Sequence, residues 1–344
     1  MPGAYPVGAY PTGATYAPHS SRGKISAMLV IGTLMTIALI GLRYRVGADW
    51  QAYVDIFDGA RRTSLSSALQ LGDPGYEAIN WAVGQYGAQV WMVNLVSGAI
   101  FGWGLLRFCA AQPRPWLAFC VAIPYLVIVV AMGYTRQAVA LGVLMAGLAR
   151  QAKGASPLNF SIYVALAATF HSTAVVIFPI VAWSSRGSPV INAALLGSIG
   201  IVLYQFFLGK NMDAYVANYL DTAYSSQGAF IRVSMNIVAA GCFYIAGRRL
   251  EFESHEYKIW RNFSLAAVVM LVLLAVLPSS TAVDRVSLYL MPLQIAVISR
   301  LPLLSRNGAS TAMGVILYLA AVEFVWLNYA QFSKYWIPYQ FYPF

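Results

Sequence analysis

Long apolar runs alternate with short polar breaks along most of the chain, and the runs have the length, about 20 residues, that a helix needs to cross a bilayer. The pattern predicts spans at 25–42, 88–108, 116–133, 134–150, 189–209, 230–247, 262–278, 286–299 and 308–330. The block 158–183 fits either one long tilted helix or two half-length helices meeting near His171. Charge separates the two. If the block turns back at His171, most of the 22 basic residues share one face, as the positive-inside rule requires; if it crosses, the basic loops at 248–261 and 300–306 land on the other side. The expected architecture is therefore all-α. It is a polytopic integral membrane helical bundle of about 11 membrane segments, including a broken pair near His171 with a polar cavity beside the break.

Three stretches escape this pattern. Residues 1–23 repeat Gly, Pro and Tyr without apolar periodicity and are expected to form a disordered cytoplasmic tail, leaving 24–344 as the membrane domain. The first apolar block follows Arg22 and Lys24 without a cleavage signal, so it is expected to remain as a signal anchor. Residues 43–87 form the longest polar excursion. Within it, 48–59 and 75–86 have the helical spacing of amphipathic helices, and the external loop is a candidate lid or substrate platform. Finally, 331–344 is dense in aromatics, suited either to a membrane-interface belt or to stacking on sugar rings.

Composition narrows the picture. With 59% hydrophobic and 10% charged residues, the net charge of +10 is divided between membrane faces, and no basic, aromatic-interleaved run suggests nucleic acid. Cys109, Cys120 and Cys242 fall inside apolar blocks and are expected to be small core residues. His and carboxylate spacing predicts no metal site, and no cofactor is expected.

Candidate chemistry begins at 132–140, where one apolar segment ends and the next starts around Arg136. A guanidinium at membrane centre costs about 2.5–3.5 kcal/mol, so Arg136 should sit at an interface or face a wet cavity. Arg43, Arg45, Arg232 and Arg285 abut the same predicted face, and several forked cations on one face suit a polyanion such as a pyrophosphate. Plainer roles fit each residue as well. Arg43 can clamp the interface, Asp49 can pair with Arg43 or Arg45, and Asp73 can cap the helix that follows it. His171 can be a bonded core histidine. Arg285 can pair with Asp284 or Asp221, and Arg232 with Asp221 or Asp213. Glu323 can reach the surface or neutralise a buried arginine.

Taken together the motifs resemble the EpsG-type, Wzy-like polysaccharide polymerases. Arg43-Tyr-Arg-Val-Gly47-Ala-Asp49-Trp50-Gln-Ala-Tyr53 is similar to that family's signature after the first span. Asp73-Pro-Gly-Tyr76-Glu, Tyr134-Thr-Arg136-Gln137 and Phe170-His171-Ser172 resemble three further elements. Arg232, Asp284-Arg285-Val-Ser-Leu-Tyr289 and Trp336-Ile-Pro-Tyr339 fall where such proteins carry comparable residues. Asp73, Ala48 and Trp50 depart from the family's usual glutamate, threonine and tyrosine.

The resemblance implies a multi-pass enzyme of the bacterial inner membrane. It would join undecaprenyl-pyrophosphate-linked oligosaccharide units at the periplasmic face, with a flippase and a chain-length regulator as possible partners. On that basis Arg136, Arg232 and Arg285 are expected to hold the pyrophosphate, with Arg43 in support, and His171, or else Asp49, to activate the acceptor. Arg45, Asp73, Tyr76, Gln137, Tyr289, Trp336 and Tyr339 are expected to contact substrate. A lipid-linked glycan flippase, a glycan ligase with a different acceptor and a membrane O-acyltransferase are the competing classes.

Overall fold

The computed structural model describes residues 25–184, 197, 198, 200–202, 205, 226, 228–277 and 279–343. The tail 1–23, Asp213, Asp221 and most of the predicted span 189–209 lie outside the described residues. Among those described there is no strand, only an isolated bridge between Arg43 and Phe341. The chain is an all-helical membrane bundle.

Helices α1 (Ala27–Gly41), α5 (Val90–Ala110) and α7 (Thr135–Gln151) pack in sequence around the centre. Every residue of α7 except Arg136 and Arg150 is buried. Small residues make this possible: a Cβ on Gly104 would come within 1.8 Å of the Gly142 carbonyl oxygen, so the α5 and α7 backbones touch there. Between them, α6 (Pro115–Ala122) runs into a π-helical stretch, Ile123–Ala131. Pro124 has no N–H to give the regular ladder, which accounts for a widened turn at that point.

The loop from 43 to 87 holds the two expected amphipathic helices, α2 (Trp50–Arg61) and α4 (Pro74–Gln85), with a short α3 (Leu65–Ala68) between them. They pack on one another, and α4 also contacts α5 and α8 (Pro157–Phe170). The block after α8 is broken as charge predicted. His171 is extended, a 3₁₀ turn spans Ser172–Val176, and α9 (Ile177–Ala182) follows. The second half returns to the side from which the first began. Tyr163, two turns into α8, receives a hydrogen bond from Arg150 at the end of α7. The Ile180 carbonyl accepts from Asn262, two turns into α11 (Ser254–Val276). These ends share a face with a buried cluster in which Arg300 donates to Gln112 and to Glu256, at 2.6 Å.

Among the described residues, four helices are long and apolar enough to cross a membrane: α5, the helix opening at Ala229 (α10, Ala229–Ala246, with a 3₁₀ extension to Arg249), α11 and α14 (Gly308–Tyr329). The span expected at 286–299 differs from expectation. It is a pair of helical pieces, Ser280–Leu288 and Pro292–Leu304, bent by 51°. Pro292 cannot continue the preceding ladder but suits a helix start, so the chain breaks there. Arg285 consequently sits inside α12 (Ser280–Leu288), one turn before its end, and α13 (Pro292–Ile298) opens the second piece, which a 3₁₀ turn at Leu301–Leu304 completes. Ala27–Gly41, Pro115–Ala131, Leu158–Phe170 and Ser172–Ala182 are apolar but shorter.

After α14 the chain crosses the end of the bundle that carries the 43–49 loop. The Gly47 and Tyr44 amides donate to the Tyr335 and Gln340 carbonyls at 3.0 and 2.9 Å, and the Tyr342 amide to Leu42 at 2.7 Å. Tyr342 stacks on Trp91 with ring centroids 5.3 Å apart. Residues 335–342 are thus a strap over the first loop.

Candidate functional site

Four consecutive residues at the start of α7, Tyr134 to Gln137, bring the arginines together. The Tyr134 ring lies under two guanidinium groups, Arg285 at 4.3 Å and Arg232 at 5.9 Å from its centroid. Thr135 accepts from Arg43 at 2.7 Å. Arg136 is itself the third member, and Gln137 donates to the Arg285 backbone carbonyl at 2.6 Å. These contacts need the break between the π-helical stretch and α7, where Gly133 leaves space for the Trp336 ring that a Cβ would meet at 2.9 Å.

The arginines differ in what else they touch. Arg43 is fully buried and donates to the Ile40 carbonyl and Asn94 as well as Thr135, so its fork is committed to joining α1, α5 and α7. Arg232 grips Asp284 through both carboxylate oxygens, and donates to Tyr125 and Ser226 at 3.1 and 2.9 Å. Arg136 donates to Asp73 at 3.0 Å while a third of its side chain stays accessible. Arg285 has no carboxylate within ion-pair distance among the described residues.

Asp73 occupies the N-cap position of α4, but its carboxylate does not cap that helix. One oxygen instead accepts from the Ser172 amide at 3.2 Å. The other meets Arg136 and stands 3.6 Å from His171 Nδ1. The break at His171 makes this possible, since Ser172 begins a new helical turn there. With Nδ1 toward Asp73, Nε2 is the nitrogen left to meet a substrate, and the ring lies along Tyr289 at 6.5 Å.

Beside this cluster is a cavity of about 460 Å³, walled by Asp49, Tyr134, Arg232, Arg285, Trp326 and Trp336 among others. Asp49 faces both clusters. Burial raises its pKa, and Arg285 and Arg136 pull it back down. Its position depends on Gly47, whose φ of +105° favours glycine and where a Cβ would stand 2.7 Å from the Met132 carbonyl oxygen.

The sequence matches the EpsG family over residues 26–341, from the start of α1 into the strap. The chain belongs to the EpsG family. Neither the curated proteins nor the solved structures compared contain a match to it.

In this EpsG-family chain, Arg136, His171, Asp73, Asp49, Arg232, Arg285, Gln137 and Tyr289 are gathered at one end of the bundle. Trp336 also reaches the cavity, but its indole N–H is bonded to the Ile128 carbonyl at 2.8 Å. Four other expected contacts sit apart. Tyr76 is fully enclosed against Tyr53 and offers no surface to a sugar in this conformation. Arg45 is exposed and lies over Tyr44. Tyr339 binds the Leu39 carbonyl at the end of α1, and Arg43 braces from behind. Of the pairing alternatives, Arg285 with Asp284 is set aside, since Asp284 goes to Arg232, a pair not among those expected; the alternatives through Asp213 and Asp221 lie outside the described residues. Tyr125, Thr135 and Trp326 join the site without having been singled out, and Tyr53, quoted only as the end of the first motif, joins it through a hydrogen bond with Arg136. Only Tyr53, one helical turn after Asp49, had a spacing that pointed to it.

Glu77 lies one turn after Asp73 in α4, buried, with one oxygen lacking a hydrogen-bond partner. Burial pushes its pKa up to about 7, with Arg136 opposing the rise and Asp73 adding to it. Because the folded value exceeds the ordinary one of 4.5, the fold binds the extra proton, and this group's contribution to stability falls as pH rises from about 4.5 through about 7. Glu77→Gln is therefore expected to stabilise the protein by about 1–3 kcal/mol above pH 8 and to change little at pH 4. Thermal unfolding in detergent at the two pH values checks this; an equal effect at both would refute it.

Proposed function

We propose that this protein is a polysaccharide polymerase of the bacterial inner membrane, acting at the periplasmic face on glycan repeat units linked to undecaprenyl pyrophosphate. In this reading the shorter apolar helices complete a multi-pass domain of about 11 segments, and the loop carrying α2 and α4 lies over the outer face. An acceptor hydroxyl attacks the anomeric carbon of the donor glycan. The C–O bond to the pyrophosphate breaks, and the electron pair leaves with the lipid pyrophosphate. Negative charge grows on that group, and fixed guanidinium groups stabilise it with little reorganisation. The observation that carries the reading is a cavity walled by Arg232 and Arg285, beside a cluster in which Asp73 joins Arg136 to a histidine that it orients.

Roles follow from what each side chain is free to do. Arg285 and the accessible part of Arg136 take the pyrophosphate, while Arg232, neutralised by Asp284, shapes the wall with Tyr125. His171 Nε2 accepts the acceptor's proton, and Asp73 is a positioning residue that orients the ring. Trp326 and Trp336 give the cavity flat apolar faces suited to sugar rings.

Reconstituted protein supplied with a single lipid-linked repeat unit is expected to make a ladder of chain lengths. One fixed product on a different acceptor would make it a ligase, and transbilayer movement without ladders a transporter. In the same assay His171→Gln is expected to lower the rate by about 10²–10⁴-fold. If Asp49→Asn gives that loss and His171→Gln does not, Asp49 is the base.

A further inference from the structure

Adjoining the arginine cavity, a second hollow of about 340 Å³ opens on the flank of the bundle. One wall is Ile231 and Met235 of α10. The other is a stripe on α14 through Tyr318, Ala321, Val325 and Tyr329, whose spacing of three or four residues puts them on one helix face. At 1.5 Å per residue this stripe is about 16 Å long, roughly half the thickness of a hydrocarbon core. Among the described residues no charged side chain lines the hollow, and Ile231, Val325 and Tyr329 are 49%, 54% and 77% exposed. The two hollows share Tyr125, Ile231 and Trp326. A continuous surface thus runs from Arg232 and Arg285 to a hydrocarbon-lined groove on the outside of the helices.

We infer that this groove seats the isoprenoid chain of the lipid-pyrophosphate donor, with the pyrophosphate at Arg285. The inference rests on the function proposed above and adds where the donor enters: sideways, between α10 and α14. Chemical complementarity selects the occupant. Cationic groups at one end and apolar side chains along the rest fit an amphiphile with an anionic head. Because the groove ends in the arginine cavity, its occupant's head lies inside the bundle. An ordinary phospholipid keeps its head at the membrane surface. A donor held this way has its lipid directed to the α10–α14 flank and its sugar toward Asp49.

The test uses the full chain in phosphatidylcholine nanodiscs and a farnesyl pyrophosphate analogue carrying a diazirine at its far end. Photolabel is expected on peptides covering 318–329 and 231–235, displaced by unlabelled farnesyl pyrophosphate but not by phosphatidylglycerol. Ala321→Trp, which fills the groove from an exposed position, is expected to weaken labelling about tenfold. Label spread evenly over the apolar helices, equal displacement by phosphatidylglycerol, or labelling unchanged in Ala321→Trp would each overturn the inference. Labelling requires no turnover, so the outcomes separate. A protein that takes label here but forms no polymer keeps the groove and loses the proposed function, and polymer without mapped label does the reverse.

Discussion

Arg285→Gln is expected to reduce polymer formation by about 10²–10³-fold at equal protein level, the usual loss when one preorganised donor to a developing anion is removed. Among the described residues this guanidinium meets no carboxylate and rests on the Tyr134 ring in the cavity wall. Its charge is accordingly available to a substrate, unlike that of Arg232. Arg285→Lys keeps the charge but loses the planar fork and much of the ring contact, and is expected to fall between, at about tenfold or more. Since Arg285 is only partly buried, neither variant should alter thermal unfolding much. Initial rates of ladder formation with purified lipid-linked units check the series. A glutamine variant within about threefold of wild type would remove Arg285 from the leaving-group site.

Arg232 is expected to behave in the opposite way. It and Asp284 are both buried and joined through two oxygens, with Ser226 bonded to the same pair. Arg232→Leu or Asp284→Asn leaves one partner charged and enclosed without its counterion, which typically costs about 3–5 kcal/mol. The single variants should thus give low yields of folded protein and lower unfolding temperatures. Arg232→Leu with Asp284→Leu removes both charges together and should recover most of the loss. An Arg232→Leu protein that unfolds at the wild-type temperature would show that the pair does not hold α10 to α12.

The helical class and the break at His171 could both be read before any coordinates, because apolar run length and the sidedness of basic loops report on the membrane. So could the two helices of the 43–87 loop. The kink at Pro292 was legible in principle, since proline opens that second helix, but the apolar run hides it. Site residues were legible where a charge stood in an apolar context, as with Arg136 and Arg232. Their division of labour was not. Nothing local distinguishes Arg43, locked to Asn94 and Thr135, from Arg285 in the cavity wall, because the deciding partners lie far away in the chain. Asp73 shows the same limit: its sequence context is that of a cap, while its carboxylate faces Arg136 and Ser172 across the bundle.

The strap formed by residues 335–342 bears on how the protein is made. The loop that positions Asp49 is held by backbone bonds from Gly47 and Tyr44 to residues at the other end of the chain. The apolar helices up to α9 can enter the membrane one after another as the ribosome delivers them, with α2 to α4 remaining in the 43–87 loop. The first loop itself waits for its partners until nearly three hundred residues beyond it have been synthesised and α14 has brought Tyr335 and Gln340 back to it. A nascent chain halted before α14 would already own its arginines and its histidine, yet lack the backbone partners that fix the aspartate among them.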